Sequence, residues 1–214
     1  QRALVWQTAG HYLDADTFLL LHIDLARIAL KTGERTWQQA FPSASALEVD
    51  STRQWGAVVS ELGDLTLVNL TTGAKEYTRH VHRNAVEGVA FHPKEQVLAT
   101  LGYDGVIRVA TIDDGSEVRR LTGLREMPFH LKFDPTGEQI ATDGLPDGRV
   151  ALWRWKGEKP LSNLGSIGNL SVAGKQLAVA EQQGYVSVWN LDSWKLERKI
   201  PEKMLFLWMP RKST

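Results

Sequence analysis

The feature that most constrains this chain is that it repeats itself. DLARIALKTG begins at Asp24, DLTLVNLTTG at Asp64, DGVIRVATIDDG at Asp104, DGRVALWRWKG at Asp147 and QGYVSVWNLDS at Gln183. These starts lie 40, 40, 43 and 36 residues apart. A fixed period of this size with strand-like alternation predicts an array of small β units, each burying its apolar face against its neighbours.

The third unit shows the plan. Val86, Val89 and Phe91 predict a short apolar strand, which His92-Pro93-Lys94-Glu95 ends, because proline cannot donate to a ladder. Val97 to Leu101 is the second strand. Gly102-Tyr103-Asp104-Gly105 is a tight turn, with Asp-Gly suited to positive φ. Val106, Arg108 and Ala110 alternate with Ile107, Val109 and Thr111 on the third strand. Asp113-Asp114-Gly115 turns again, and Ser116 to Leu121 is the fourth. Four antiparallel strands joined by tight turns make one propeller blade.

The other units follow. The expected fold is all-β, a propeller of about five blades over 1–41, 42–81, 82–122, 123–164 and 165–203. An added strand at 204–210 makes it possible that this is part of a larger propeller. The innermost strand of the first unit stays open: Leu4 to Thr8 could be it, or could end a preceding blade. Met204 to Pro210 is apolar on both faces, which predicts a strand inside a sheet. Either the protein continues beyond Thr214, or this strand closes the ring beside Phe18 to Ile23. The chain starts at Gln1, with no methionine or signal-like stretch, and reads as a fragment, a processed product or an excerpt.

At VEGVAFHPKEQVLATLGYDGVIRVA the chain resembles the WD-repeat (Trp-Asp repeat) β-propeller family. That family's repeat reads GH, a gap, V-x-x-V-A-F-S-P-D-G, L-A-S-G-S-x-D-G and I-R-L-W-D. His82 falls at the family histidine, with Val81 in place of the glycine. Asp64, Asp104 and Asp147 match the turn aspartate, and Trp153 and Trp189 the signature tryptophan. Arg154 and Asn190 follow where the family has aspartate. In the third unit Gly102 stands at the serine position and Ala110 at the tryptophan, so no unit keeps the full His-Ser-Asp-Trp set. The resemblance implies a fold and no active site. A second, weaker one lies at 28–41: Thr32-Gly33-Glu34 and Trp37 are similar to the tryptophan-docking repeat of quinoprotein-type propellers, without its aspartate.

Composition excludes several classes of function. Lys+Arg and Asp+Glu are both 25, and the densest basic cluster, Arg79 to Arg83, is short and has no aromatic partner for bases, so direct nucleic-acid binding is not expected. With no cysteine there are no disulfides, thiolate metal sites or cysteine nucleophiles. The run Phe18 to Ile23 is too short to span a bilayer, and no membrane partner is expected. His80 and His82 share a face if extended, yet a third metal ligand is missing. Asp14 with Asp16, and Asp113-Asp114 with Ser116, offer too few oxygens for calcium and read as turn caps. There is no nucleophile elbow, dinucleotide fingerprint or P-loop. Trp153, Trp189 and Trp208 read as core between blades, while Trp37, Trp55, Trp155 and Trp194 read as freer.

These readings give a non-catalytic protein-interaction scaffold or recognition module, cytoplasmic, with no cofactor and no metal. Its partner is a protein or other domains of the same parent chain. The alternatives are a quinoprotein-like enzyme with a cofactor in its central channel, and a permanent structural subunit of an assembly. The family resemblance implies a partner rim at the turns before the innermost strand and between the second and third strands. Arg53, Trp55, His82, Arg83, Tyr103, Arg125, Glu126, Asp143 and Gln182 are assigned to it.

Overall fold

The computed structural model describes residues 9–12, 17–21, 24–29, 31–124, 128, 130–142, 150–157, 160–164, 170–173, 175–181, 185–190, 193 and 195–201. They form five four-stranded antiparallel sheets, and no helix occurs among them. Sheet one holds β1 (Ala9–Tyr12), β2 (Thr17–Leu21), β3 (Asp24–Ala29) and β4 (Arg35–Ala40). Sheet two holds β5 (Ala44–Val49), β6 (Trp55–Ser60), β7 (Asp64–Asn69) and β8 (Lys75–His80). Sheet three holds β9 (Val86–Phe91), β10 (Val97–Gly102), β11 (Ile107–Thr111) and β12 (Glu117–Leu121). Sheet four holds β13 (Leu131–Phe133), β14 (Gln139–Thr142), β15 (Val150–Arg154) and β16 (Pro160–Leu164). Sheet five holds β17 (Leu170–Ala173), β18 (Gln176–Glu181), β19 (Tyr185–Asn190) and β20 (Leu196–Pro201). Every strand pairs with its sequence neighbour, so each sheet is a meander built from local turns.

Sheets one to four pack face to face in chain order. Leu25 and Phe41 of the first unit share a core with Leu47, Val58 and Val68 of the second. Leu65 and Leu67 pack with Val89 and Leu98. Leu101, Ile107 and Val109 pack with Phe133, Ile140 and Trp153. The first strands lie side by side, β5 against β9 and β9 against β13. The Ser45 hydroxyl donates across the first of these junctions to the Val86 carbonyl. Burial fades outward: β10 is buried throughout, whereas β8 and β12 are mostly exposed.

One irregularity recurs at the same place in all five sheets. The pairing of third and fourth strands shifts by a bulge at Ile28, Val68, Ala110, Trp153 and Trp189. These five residues are therefore structural equivalents, which places Ala110 where the fourth and fifth sheets have tryptophan. The extra residue lies on the fourth strand each time, opposite these positions, where a bulge increases the local twist.

A second device links sheets. From the fourth strand, Trp37 donates Nε1–H to the Leu70 carbonyl (3.1 Å), and a Cβ on Gly73 would sit 2.7 Å from its indole. Tyr77 reaches Thr111 O (3.4 Å) and lies over Gly115 in the same way. Arg119 donates to Gly157 O at 2.6 Å. Trp37, Tyr77 and Arg119 hold matching registers opposite Arg27, Leu67 and Val109. The outer strands β4, β8 and β12 thus each dock on the next sheet's last turn.

Several expectations need correction. The first strand of the first sheet is Ala9–Tyr12, and Leu4 to Thr8 lies outside the described residues. Phe18 to Leu21 cannot receive the segment 204–210, because both edges of β2 are already paired, with β1 and with β3. The segment 204–210 itself lies outside the described residues. Trp155 is buried at 6% exposure rather than free, because it stacks edge-on with His92 and Phe133. Trp153 is buried at 1%, whereas Trp189 is half-buried and donates Nε1–H to Ser187 (3.0 Å). Trp194 and Trp208 lie outside the described residues.

Candidate interaction surface

The two ends of the sheets carry different turns. Antiparallel strands put the turns between second and third strands at the same end as the connections between sheets. In sheets two and three that end carries Leu62 and Gly63, then Val81 to Ala85, then Tyr103 to Gly105. The other end carries Asp50 to Gln54 and Pro93 to Gln96.

The structure therefore divides the proposed rim. His82, Arg83 and Tyr103 come together at one end. Arg53 and Trp55 are at the opposite end, in and after the turn joining β5 to β6, so they cannot serve the same rim. Arg53 is exposed with φ +62°, held by its N–H to Asp50 O (3.0 Å). Trp55 is half-buried beside a cleft of about 240 Å³ that also includes Lys94 and Glu95. Arg125, Glu126, Asp143 and Gln182 lie outside the described residues.

His82 is enclosed, with 1% of its surface exposed. Its Nδ1 pairs with Asp104 Oδ1 and its Nε2 with Thr100 Oγ1, both at 2.9 Å. With Asp104 as acceptor, Nδ1 carries the proton and Nε2 accepts from the Thr100 hydroxyl. Burial pushes the His82 imidazole below its ordinary pKa, against the pull of Asp104, so the neutral form fits this geometry. Burial pushes the Asp104 carboxyl up, yet His82 and Arg108 together hold it below the usual range. Arg108 donates to Asp104 Oδ2 (3.1 Å) and Glu117 Oε2 (2.9 Å), and Arg120 donates to both Glu117 oxygens.

This overturns one detail of the alignment. Thr100, not position 102, supplies the hydroxyl of the His-Ser/Thr-Asp set. A Cβ on Gly102 would fall 2.3 Å from His82 Nδ1, so the ring occupies the space a serine there would need. The hydroxyl–imidazole–carboxylate order matches the bonding of a hydrolytic triad. Thr100 is only 1% exposed, so no substrate carbonyl reaches its hydroxyl. The arrangement fixes the turn at Asp104, whose Oδ1 also accepts the Val106 N–H at 3.2 Å.

His80 does not join His82. It sits at the exposed end of β8 and pairs with Asp64 (3.0 Å), while the chain turns before His82 enters the interior. No group of three or more histidine, aspartate or glutamate side chains placed to hold a metal occurs among the described residues. No helix among them is long and apolar enough to cross a membrane.

What the exposed rim offers is a mixture. Leu62 is 65% exposed at the tip between β6 and β7. Glu61, next to it in the turn, and Arg83, in the connection to β9 at the same end, are also exposed. Tyr103 and Glu87 lie close to one another: burial pushes the Glu87 carboxyl up and the neighbouring Tyr103 hydroxyl partly restores it. Sequence reasoning passed over Leu62 and Glu61. The available signal was an apolar residue at the tip of a Ser-Glu-Leu-Gly turn, where nothing local requires one.

No family model matches the chain. Coronin-7 of Bos taurus is 35% identical over 77 residues, 36% of this chain and 8% of that protein. Telomerase protein component 1 of Rattus norvegicus is 26% identical over 118 residues, 52% of this chain and 4% of that protein. Autophagy-related protein 21 of Schizosaccharomyces pombe is 42% identical over 60 residues, 28% of this chain and 18% of that protein. The chain spans less than a fifth of the length of each of these relatives. Low in identity and partial in coverage, the likenesses support the WD-repeat resemblance and not the quinoprotein-like one.

Proposed function

We propose that this chain is a WD-like β-propeller, or a large part of one, with blades at 1–41, 42–81, 82–122, 123–164 and 165–203. It acts as a non-catalytic module that binds a protein partner, or another domain of its parent chain. The observation that carries this reading is the repeated docking of Trp37, Tyr77 and Arg119 on the following sheet. Such an array holds its loops rigidly, so a partner binds without a large ordering cost. The rim around Leu62, Arg83 and Tyr103 is the proposed surface, combining an exposed apolar residue with charged neighbours. The buried hydroxyl of Thr100 favours this over catalysis by the His82 set.

The test is quantitative affinity purification from the native source with the wild type and an L62D/R83E variant. The expected result is a defined set of co-purifying proteins that the variant loses while its melting temperature is unchanged. An identical set for both proteins would overturn the rim assignment. Substrate turnover by the purified wild type would overturn the non-catalytic reading.

A further inference from the structure

We propose that the cleft between the second and third sheets receives a phosphorylated side chain of a protein partner. The proposal rests on the interaction-module reading and gives the chemistry of one contact. The cleft, of about 420 Å³, is lined by Arg79 of β8, by Arg83 after it, and by Arg108, Ala110, Glu117 and Arg120 of β11 and β12.

Its existence follows from the bulge position. Ala110 stands where sheets one, two, four and five carry Ile28, Val68, Trp153 and Trp189. The smallest of these side chains leaves the floor open.

Charge then decides what fits. Four guanidinium groups line the cleft and one carboxylate, Glu117, is among them. Arg108 and Arg120 are committed to Glu117, and Arg108 also to Asp104. Arg79 uses one hydrogen-bond donor, its Nε, on the Asp114 carbonyl at 3.0 Å, and its guanidinium lies over the Tyr77 ring, 5.5 Å from the ring centre, leaving its terminal N–H groups without a hydrogen bond among the described residues. The Asp114 carboxylate is turned to Thr111 and Ser116. Arg83 is exposed and makes no hydrogen bond or ion pair among the described residues. His80 adds an imidazole at the mouth, its Nδ1 on Asp64.

Arg79 and Arg83 are two guanidinium forks with no carboxylate hydrogen-bonded to them among the described residues, although the Asp114 charge lies near Arg79, and such a pair suits a doubly charged tetrahedral oxyanion better than a single carboxylate. The chain has no net positive charge, so no overall attraction for anions adds to that of the cleft. A polyanion such as nucleic acid needs an extended basic stripe; one phosphate does not.

The test uses the whole chain and arginine Nε–Hε NMR signals. The probes are the peptide Ala-Ala-phosphoserine-Ala-Ala, its unphosphorylated form, inorganic phosphate, and vesicles containing phosphatidic acid. The phosphopeptide should shift the Arg79 and Arg83 signals saturably, and the unphosphorylated peptide should not. R79Q and R83Q should each weaken binding about tenfold. R53Q, at the other end, should leave it unchanged. A110W should close the cleft and abolish binding; R79Q and R83Q carry the test if A110W does not fold. Equal binding of both peptides, or loss with R53Q equal to that with R83Q, would overturn the proposal. Binding of inorganic phosphate or vesicles tighter than the phosphopeptide would overturn the assignment to a protein side chain. The L62D/R83E purification reads the rim as a whole. An L62D single variant that loses its partners while phosphopeptide binding persists separates the two readings.

Discussion

Lys132 donates from its ammonium group to both carboxylate oxygens of Glu48, at 3.0 and 2.9 Å, although 84 residues separate them. Glu48 lies on β5 and Lys132 on β13, the first strands of sheets two and four, with β9 between them. The pair therefore ties together two sheets that are not neighbours in sequence. Both side chains are partly exposed, which limits the worth of the contact.

A double-mutant cycle with E48Q and K132M measures that contact. The expected coupling is about 1 kcal/mol at low salt, falling as ionic strength rises. Urea denaturation at low and high salt checks it. A coupling of zero at both salts would mean the pair does not hold the first strands together.

Trp153→Ala is expected to destabilise by about 3–5 kcal/mol, the cost of removing a large aromatic from a filled core. Trp189→Ala should cost clearly less, because that indole is only half-buried. Equal losses in thermal melts would contradict the difference in burial.

Gly102→Ser tests the hydroxyl assignment. Alignment alone makes this substitution look restorative. The His82 ring stands 2.3 Å from the new Cβ, so the expected outcome is a loss of about 1–3 kcal/mol. Thr100→Val should also destabilise, by leaving His82 Nε2 without its donor.

Acid should weaken the fold through His82. Its folded pKa is lowered by burial, so the unfolded chain binds the proton more readily. The contribution is complete above the ordinary histidine pKa of about 6.5 and is lost as pH falls through the lower folded value. Asp104, also depressed, acts in a separate window below about pH 4. Unfolding free energy should fall between pH 7 and 5 in the wild type and fall less in H82N, as read by urea titration at each pH.

Tyr77 should ionise late. Burial, and then the nearby Asp114 charge, push its hydroxyl up to about 12. Alkaline absorbance titration should show one phenol titrating near that value, and Y77F should remove it.

The repeat itself was legible in the sequence because its signals are local. Asp-Gly at 104–105 demands a tight turn, and Gly105 takes φ +68° there. Alternation such as Ile107 and Val109 around Arg108 marks a strand whichever sheet it joins. Four strands per unit, paired in order, follow from turns too short for any other route. What only the tertiary structure decided concerns groups that meet across sheets. Thr100 rather than position 102 serves His82, because the ring comes in from the preceding connection and fills the space beside Gly102. Trp155 became core because His92 reaches to Gly137 and brings the third and fourth sheets together around it. Arg53 and His82 were assigned to one rim, yet strand direction sends their turns to opposite ends. Period and turn chemistry are properties of neighbouring residues. Which side chain fills a junction depends on the register of a sheet about 40 residues away, and no single repeat carries that information.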